Sequence, residues 1–407
     1  MLRAVHGRYQ DRVFPSPAQP SGAGRDVAAA DACPGILDLH EARDGLVARI
    51  RLPGGYATGA RLRSLAAMAG RFGDGRVDLT ARGNVQIRGI QPGAAGGMAQ
   101  RAASAGLLPS PAHDRARNIT ASPLAGLAGH PDLRGPVRAL DRAIRADPGL
   151  AALPGRFLFS LDDGTGRAGL GTCDVGLRWH DGATELVVAG RRTGLRGSAA
   201  AGIRNAVAAA RAFLDQRPGE GAGAGLRSTR VAGLADGGAS VAAAAGGMLG
   251  NQVSDTTDRL ALGAVPDATP LVVIAAPLGR LTAAQVRLVA GTLRAGEVAR
   301  LTAAGRIVLP LAEAAEAALQ RLSEAGIVIA DDDELAAVTA CAGTTCASSL
   351  ADVRALATRV PGLGAVHWAG CGRRCGLPAD ATAVVATSAD GFTLGNGAAL
   401  STQPRSA

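Results

Sequence analysis

The chain has 407 residues, 47% of them apolar but only 2% aromatic, with 57 glycines and a net charge of +9. That length supports several domains and a sizeable core of small side chains, so no disulfide or metal is needed merely to stay folded. All 43 basic residues are arginine and none is lysine, a bias that reflects a GC-rich genome before it reflects function. The charge still attracts anions. A nucleic acid partner is not expected, because there is no basic run and few aromatic rings on which bases could stack. Scattered guanidiniums suit a small polyanion better, since each grips a carboxylate with two parallel donors.

No apolar run approaches the roughly 18 residues needed to cross a bilayer. Arg3, His6, Arg8, Asp11 and Arg12 crowd the N-terminus and leave no secretory apolar region there. A cytoplasmic protein without a membrane partner is therefore expected. In that compartment six cysteines, four of them close together near the C-terminus, read as metal or cluster ligands and not as a disulfide framework.

Residues 1–32 read as a flexible extension. An apolar strand over 46–52 then leads to an amphipathic helix over about 59–71, two short alternating strands meeting at Gly83, and a second helix through Gln100 and Leu107. The same order recurs about 220 positions downstream, as a strand over 271–275, a helix over about 282–295, strands meeting at Gly305 and a helix through Gln320 and Ile327. Leu79-Thr80-Ala81-Arg82-Gly83 matches Leu301-Thr302-Ala303-Ala304-Gly305, and Thr120-Ala121-Ser122 matches Thr339-Ala340-Cys341. The chain thus contains an internal duplication, in which Ser122 stands where the second copy has its first clustered cysteine. Between the copies, 216–260 is rich in Gly and Ala and reads as a linker or mobile loop. Two βαββα units paired about a pseudo-twofold axis bury each other's edges, an α+β arrangement with a ligand crevice between the halves. Half-domains are expected over 33–110 and 261–330, each followed by a larger domain over 111–215 and 331–407.

Cys341 and Cys346 form C-x4-C, and Cys371 and Cys375 form C-x3-C. Four thiolates suit a [4Fe–4S] cluster, with one per iron. Structural zinc also takes four, but its ligands usually sit on C-x2-C knuckles, and four inert buried thiols are the remaining alternative. Cys346 is expected to open a helix over 347–358 whose amides would favour a thiolate. Gly370, Gly372 and Gly376 would let other amides approach the sulfurs. Cys33 and Cys173 stand alone and read as inert small hydrophobes.

Taken together, Thr80-Ala81-Arg82-Gly83-Asn84-Val85-Gln86-Ile87-Arg88-Gly89 and the cysteine set resemble the sulfite/nitrite reductase superfamily, whose members are duplicated in this way. Within it, Cys33-Pro34-Gly35, Asp44 to Gly55, Arg117-Asn118-Ile119-Thr120, Arg156-Phe157, Asp162-Asp163-Gly164 and His367-Trp368-Ala369-Gly370-Cys371 resemble the precorrin-3B synthase family. The resemblance runs from about 33 to 395 and implies a pseudo-twofold sulfite/nitrite-reductase-like fold with ferredoxin-like half-domains. It also implies an O2-dependent monooxygenase of aerobic cobalamin biosynthesis that hydroxylates precorrin-3A and closes a lactone. That enzyme would use a [4Fe–4S] cluster, a mononuclear non-haem iron and a separate electron donor. By the same resemblance Arg82, Asn84, Gln86, Arg117 and Arg156 fall where superfamily members hold tetrapyrrole carboxylates. The superfamily usually spaces its first cysteine pair as C-x5-C and has Trp-Arg-Gly where this chain has Ala303-Ala304-Gly305. A mononuclear iron site built as a facial triad needs two His and one carboxylate, and His113 and His367 are the candidates for it. The alternatives are a siroheme-dependent sulfite or nitrite reductase, whose lysines beside the haem this chain lacks, and an iron–sulfur electron carrier.

Overall fold

The computed structural model describes residues 33–217, 229–256, 259–266, 270–302, 305–359, 364–378, 380–395 and 399–400. The first unit runs β1 (His40–Ala42), β2 (Gly45–Ile50), β3 (Tyr56–Thr58), α1 (Gly59–Phe72), β4 (Arg76–Leu79), β5 (Val85–Ile90) and α2 (Ala95–Ser104). Next come β6 (Ile119–Ala121), α3 (Arg134–Ala146), β7 (Phe159–Asp162), β8 (Val175–His180), β9 (Ala183–Val188), β10 (Arg191–Gly197), α4 (Ala199–Gln216) and α5 (Ala239–Ala244). The order then starts again with β11 (Gly263–Ala264), β12 (Leu271–Ala275), β13 (Arg280–Thr282), α6 (Ala283–Thr292), β14 (Val298–Leu301), β15 (Arg306–Pro310) and α7 (Ala315–Glu324). It ends with β16 (Val338–Ala340), α8 (Val353–Ala357), β17 (Val366–Ala369), β18 (Thr382–Ala386), β19 (Phe392–Leu394) and β20 (Ala399–Leu400).

Among the described residues the strands form four five-stranded sheets, two for each half. The two ferredoxin-like sheets exchange a strand. In one, β13 of the second copy pairs with β4 through Leu281 and Val77; in the other, β3 of the first copy pairs with β14 through Ala57 and Ala299. Each visiting strand turns directly into a helix whose third amide is capped by a threonine, Arg61 N donating to Thr58 Oγ1 and Gln285 N to Thr282 Oγ1, both at 3.2 Å. Helical periodicity then places Leu62, Leu65, Ala66 and Ala69 on one face of α1, and Val286, Val289 and Ala290 on one face of α6. These faces meet in one shared core. The close approach of the copies depends on Gly55 and Gly83, both at positive φ, where a Cβ would lie 2.2 and 2.6 Å from the Leu301 carbonyl oxygen.

The other two sheets repeat each other strand for strand, with three parallel strands followed by antiparallel hairpin partners: β6-β7-β8-β9-β10 and β16-β17-β18-β19-β20. The extension over 1–32, the run Gly219 to Gly225 and the Ala303-Ala304 pair lie outside the described residues. The segment read as a linker is, over 229–256, packed into the second core, where Val231, Val241 and Ala242 are fully buried. No described helix is long and apolar enough to cross a membrane.

Candidate functional site

Parallel pairing of β16 with β17, Ala340 opposite Trp368, brings the residues that follow both strands to the same end of the sheet. Cys341 follows β16 and donates its amide to Trp368 O at 2.9 Å. Its sulfur accepts from the Gly370 amide at 3.2 Å and from the Gly343 amide at 3.4 Å. Cys346 does not open a helix: it lies in extended backbone after the turn Gly343–Thr345, and α8 begins only at Val353, capped by Asp352. The amides expected from a helix end therefore come from glycines on two loops, and they reach Cys341 instead of Cys346.

Cys375 lies in the second loop, after Arg374 at φ 48°. Burial, then the charges of Cys371, Cys341 and Cys346, push its thiol above the ordinary cysteine range. Cys371, Cys341 and Cys346 thus lie close enough to Cys375 to act on it electrostatically. Among the described residues no three His, Cys, Asp or Glu side chains are drawn together as a single-ion site requires. Four cysteines are the donor set that a [4Fe–4S] cluster takes, one thiolate per iron, whereas a tetrahedral zinc would hold its four sulfurs about 2.3 Å from one point. Beside it sits Arg354, pushed down to about 10 by burial and then by Arg280, and so still charged at neutral pH.

The two histidines considered for a mononuclear iron are both engaged elsewhere. His367 Nδ1 lies 2.9 Å from Thr339 Oγ1 and its Nε2 3.1 Å from the Cys375 carbonyl, so Nε2 carries the proton and donates. Burial pushes His367 down to about 4, which keeps the ring neutral. His113 spans Ser110 Oγ at 2.8 Å and the Asp147 carbonyl at 2.9 Å. Neither ring offers a free nitrogen, and they belong to different halves.

In the half without the clustered cysteines, Arg82 meets the Arg156 backbone, its Nη1 donating to Arg156 O at 3.0 Å. Burial and then Arg230 push Arg82 down to about 10, with Cys33, Arg49 and Asp174 also facing it. A carboxylate arriving there would relieve that crowding of guanidiniums. The other residues of the expected set are occupied in building the scaffold. Asn84 is buried, accepting from Leu52 N at 2.9 Å and donating to Asn118 Oδ1 at 2.7 Å. Arg117 is buried against Asp141 at 2.6 Å. Gln86, with its amide oxygen turned toward Arg49, accepts from that guanidinium at 2.8 and 3.2 Å.

Sequence reasoning missed Arg49, Arg51 and Arg230. Cys33, read as inert, accepts from Arg49 Nη1 at 2.6 Å and from Arg51 Nη2 at 3.5 Å. The alternation Arg49-Ile50-Arg51 could have signalled this, because residues two apart on an extended segment share a face. Arg230 pairs with the buried Asp174 at 2.6 Å and has no comparable local signal.

A family profile, the nitrite/sulfite reductase ferredoxin-like half domain, matches residues 40–105. The chain is 36% identical over 121 residues to a ferredoxin–nitrite reductase of Leptolyngbya laminosa, covering 28% of this chain and 24% of that protein. It is 30% identical over 161 residues to a precorrin-3B synthase of Sinorhizobium sp, covering 39% of this chain and 34% of that protein. These matches span about a quarter to a third of the relatives' length. In structure the chain resembles the Mycobacterium tuberculosis NirA protein, with a TM-score of 0.70 at 19% identity over 86% of this chain and 74% of that one. That likeness supports the fold, ferredoxin-like half-domains included.

Proposed function

We propose that this chain, a member of the sulfite/nitrite reductase superfamily, is a precorrin-3B synthase-like oxidoreductase, a monooxygenase that uses O2 to hydroxylate precorrin-3A and close a lactone. The observation that carries this reading is the asymmetry of the duplicated site. One half carries the four clustered cysteines of the sequence, while the other keeps Arg82, bonded to the Arg156 carbonyl, near Arg49 and Arg230 and is free of clustered cysteines. Guanidiniums of that kind suit the carboxylates of an anionic tetrapyrrole. Two residues past Arg156, Leu158 is buried among Leu170, Cys173, Val187 and Val253, so no cation stands at that point to serve a small oxyanion.

Cys341, Cys346, Cys371 and Cys375 would hold the [4Fe–4S] cluster, which when bound supplies electrons one at a time. A cluster with four thiolates has no open position for O2. A second iron is therefore part of the proposal, with ligands other than His113 and His367. A separate electron donor completes the reaction. The 36% match to a nitrite reductase favours a second reading, a siroheme-dependent reductase in which the same arginines hold a cofactor and not a substrate. Anaerobic purification with iron and sulfide analysis, followed by turnover of precorrin-3A under labelled oxygen gas, separates the two. Entry of the label into the product supports the synthase; bound siroheme with reduction of nitrite or sulfite, and no label in the tetrapyrrole, overturns it.

A further inference from the structure

We propose that Arg354 is a positioning residue for the candidate cluster, pinning the Cys341 loop while its fixed positive charge raises the cluster's reduction potential. The inference rests on the reading that the four cysteines hold a [4Fe–4S] cluster. Arg354 is on α8, and its guanidinium is spent on three backbone carbonyls. Nη1 donates to Ala340 O at 3.3 Å and to Cys341 O at 3.1 Å, and Nη2 donates to Leu278 O at 3.1 Å. Leu278 belongs to the ferredoxin-like part of the second half and bridges to Thr339 on β16. The side chain therefore ties that part, the end of β16 and the cysteine loop to one point.

Two consequences follow from the geometry. The loop held by Arg354 also carries Gly343, whose amide donates to the Cys341 sulfur, and the stem of Arg354 packs where Gly343 has no side chain, at 3.5 Å from the position of a Cβ. Fixing the loop thus fixes a hydrogen bond to a ligand sulfur. A guanidinium keeps its charge at neutral pH, and this one is bonded to the carbonyl of Cys341 itself. When the oxidised cluster takes one electron from a reductant, its net charge becomes more negative by one, and a neighbouring cation lowers the cost of that step. The first half has no use for such a residue: there the matching carbonyl, Ser122 O, accepts from the Ala125 amide at 3.2 Å.

The test uses the full chain, purified anaerobically, with Arg354→Gln and Arg354→Lys beside the wild type. Iron and sulfide are counted, and the potential is read by EPR during titration with dithionite. At the wild-type midpoint, the reduced-to-oxidised ratio in Arg354→Gln should fall about tenfold, a shift of about 59 mV for one electron. Arg354→Lys, which keeps the charge, should stay within about twofold. A full cluster at wild-type potential in Arg354→Gln overturns the assignment. If Arg354→Gln holds no iron, Arg354→Lys decides: recovery of the cluster at wild-type potential supports the role, and failure to recover either overturns it. A wild type without iron and sulfide sinks the cluster reading itself, an outcome distinct from an unmoved potential.

Discussion

Ser122 and Cys341 occupy equivalent places in the two halves: the Asp163 amide donates to Ser122 Oγ at 3.0 Å, and the Gly370 amide donates to Cys341 Sγ at 3.2 Å. Their own amides also match, Ser122 donating to Leu161 O and Cys341 to Trp368 O. Around Ser122 the loop satisfies itself, since Asp162 accepts from the Ser122 hydroxyl and from the amides of Gly164, Gly166 and Ala168. Around Cys341 the corresponding loop carries Cys371 and Cys375. One backbone design therefore serves a closed polar turn in one half and a cysteine-bearing loop in the other.

Cys341→Ser follows from that equivalence. The fold already holds a serine at this place, with the same amide donor, so the unloaded protein should change in stability by less than about 1 kcal/mol. The loaded protein should lose its iron, its sulfide and its broad visible absorbance, because a hydroxyl is a poor substitute for a thiolate on iron. Cys371→Ser and Cys375→Ser should behave alike. Chemical unfolding of the unloaded protein and iron analysis of the loaded one check both halves of this expectation, and a full cluster retained in both of the latter variants would remove them from the ligand set.

Arg82→Met should trade affinity for stability. The Arg82 guanidinium sits at about 10, below its ordinary 12.5, so at neutral pH its charge is held at a cost. Removing the charge returns up to about 3 kcal/mol, offset by about 1 kcal/mol for the lost bond to Arg156 O. The net expectation is a gain of about 1–2 kcal/mol in unfolding free energy. Binding of precorrin-3A should weaken by about 1.5–3 kcal/mol, the range of a charge-assisted hydrogen bond. Unchanged affinity would place the macrocycle elsewhere.

The duplication was legible because it is written locally, Leu79 to Gly83 against Leu301 to Gly305. The exchange of β3 and β13 was not, since a three-residue strand carries too little periodicity to declare a partner more than 200 residues away. Side-chain duties in the arginine-rich half were hidden for the same reason. Arg117 and Asp141 meet only because α3 packs beside β6, and Asn84 meets Asn118 across two units. A motif match names the positions but cannot say which amide or guanidinium the scaffold has already consumed.

Asp114→Ala should release the segment that carries Cys33. The buried Asp114 carboxylate accepts from the amides of Ile36 at 2.5 Å and Leu37 at 3.1 Å, and burial raises it above the ordinary carboxylate range. Truncation leaves two amides without that acceptor, a cost of about 2–3 kcal/mol. Protease cleavage within 33–39 and thiol modification of Cys33 should both accelerate in Asp114→Ala, whereas Asp114→Asn, which keeps a carbonyl acceptor, should lie between it and the wild type. Equal rates in all three would mean that the segment is held by its other contacts, Arg49 on Cys33, Arg51 on Pro34 and Arg115 on Asp38 among them.

Tyr56 offers a test at alkaline pH. Its ring lies in the second core with the Arg300 guanidinium 5.9 Å from its centroid, and its hydroxyl has no hydrogen-bond partner among the described residues. Burial pushes the phenol from its ordinary 10.0 to about 12, against the opposing pull of Arg300. The unfolded chain gives up this proton near 10 while the folded one keeps it to about 12, so across that interval the folded state binds more protons. Stability attributable to the buried phenol is therefore fully present below about pH 10 and is lost progressively as pH rises toward about 12, by up to about 3 kcal/mol. Tyr56→Phe removes an unpaired buried hydroxyl while keeping the ring, so at neutral pH it should be neutral or stabilising by about 1 kcal/mol. Its decisive effect is on the slope: urea unfolding at about pH 8 and about pH 11 should diverge less in Tyr56→Phe than in the wild type. The same fall in both proteins would show that some other group governs the alkaline limit.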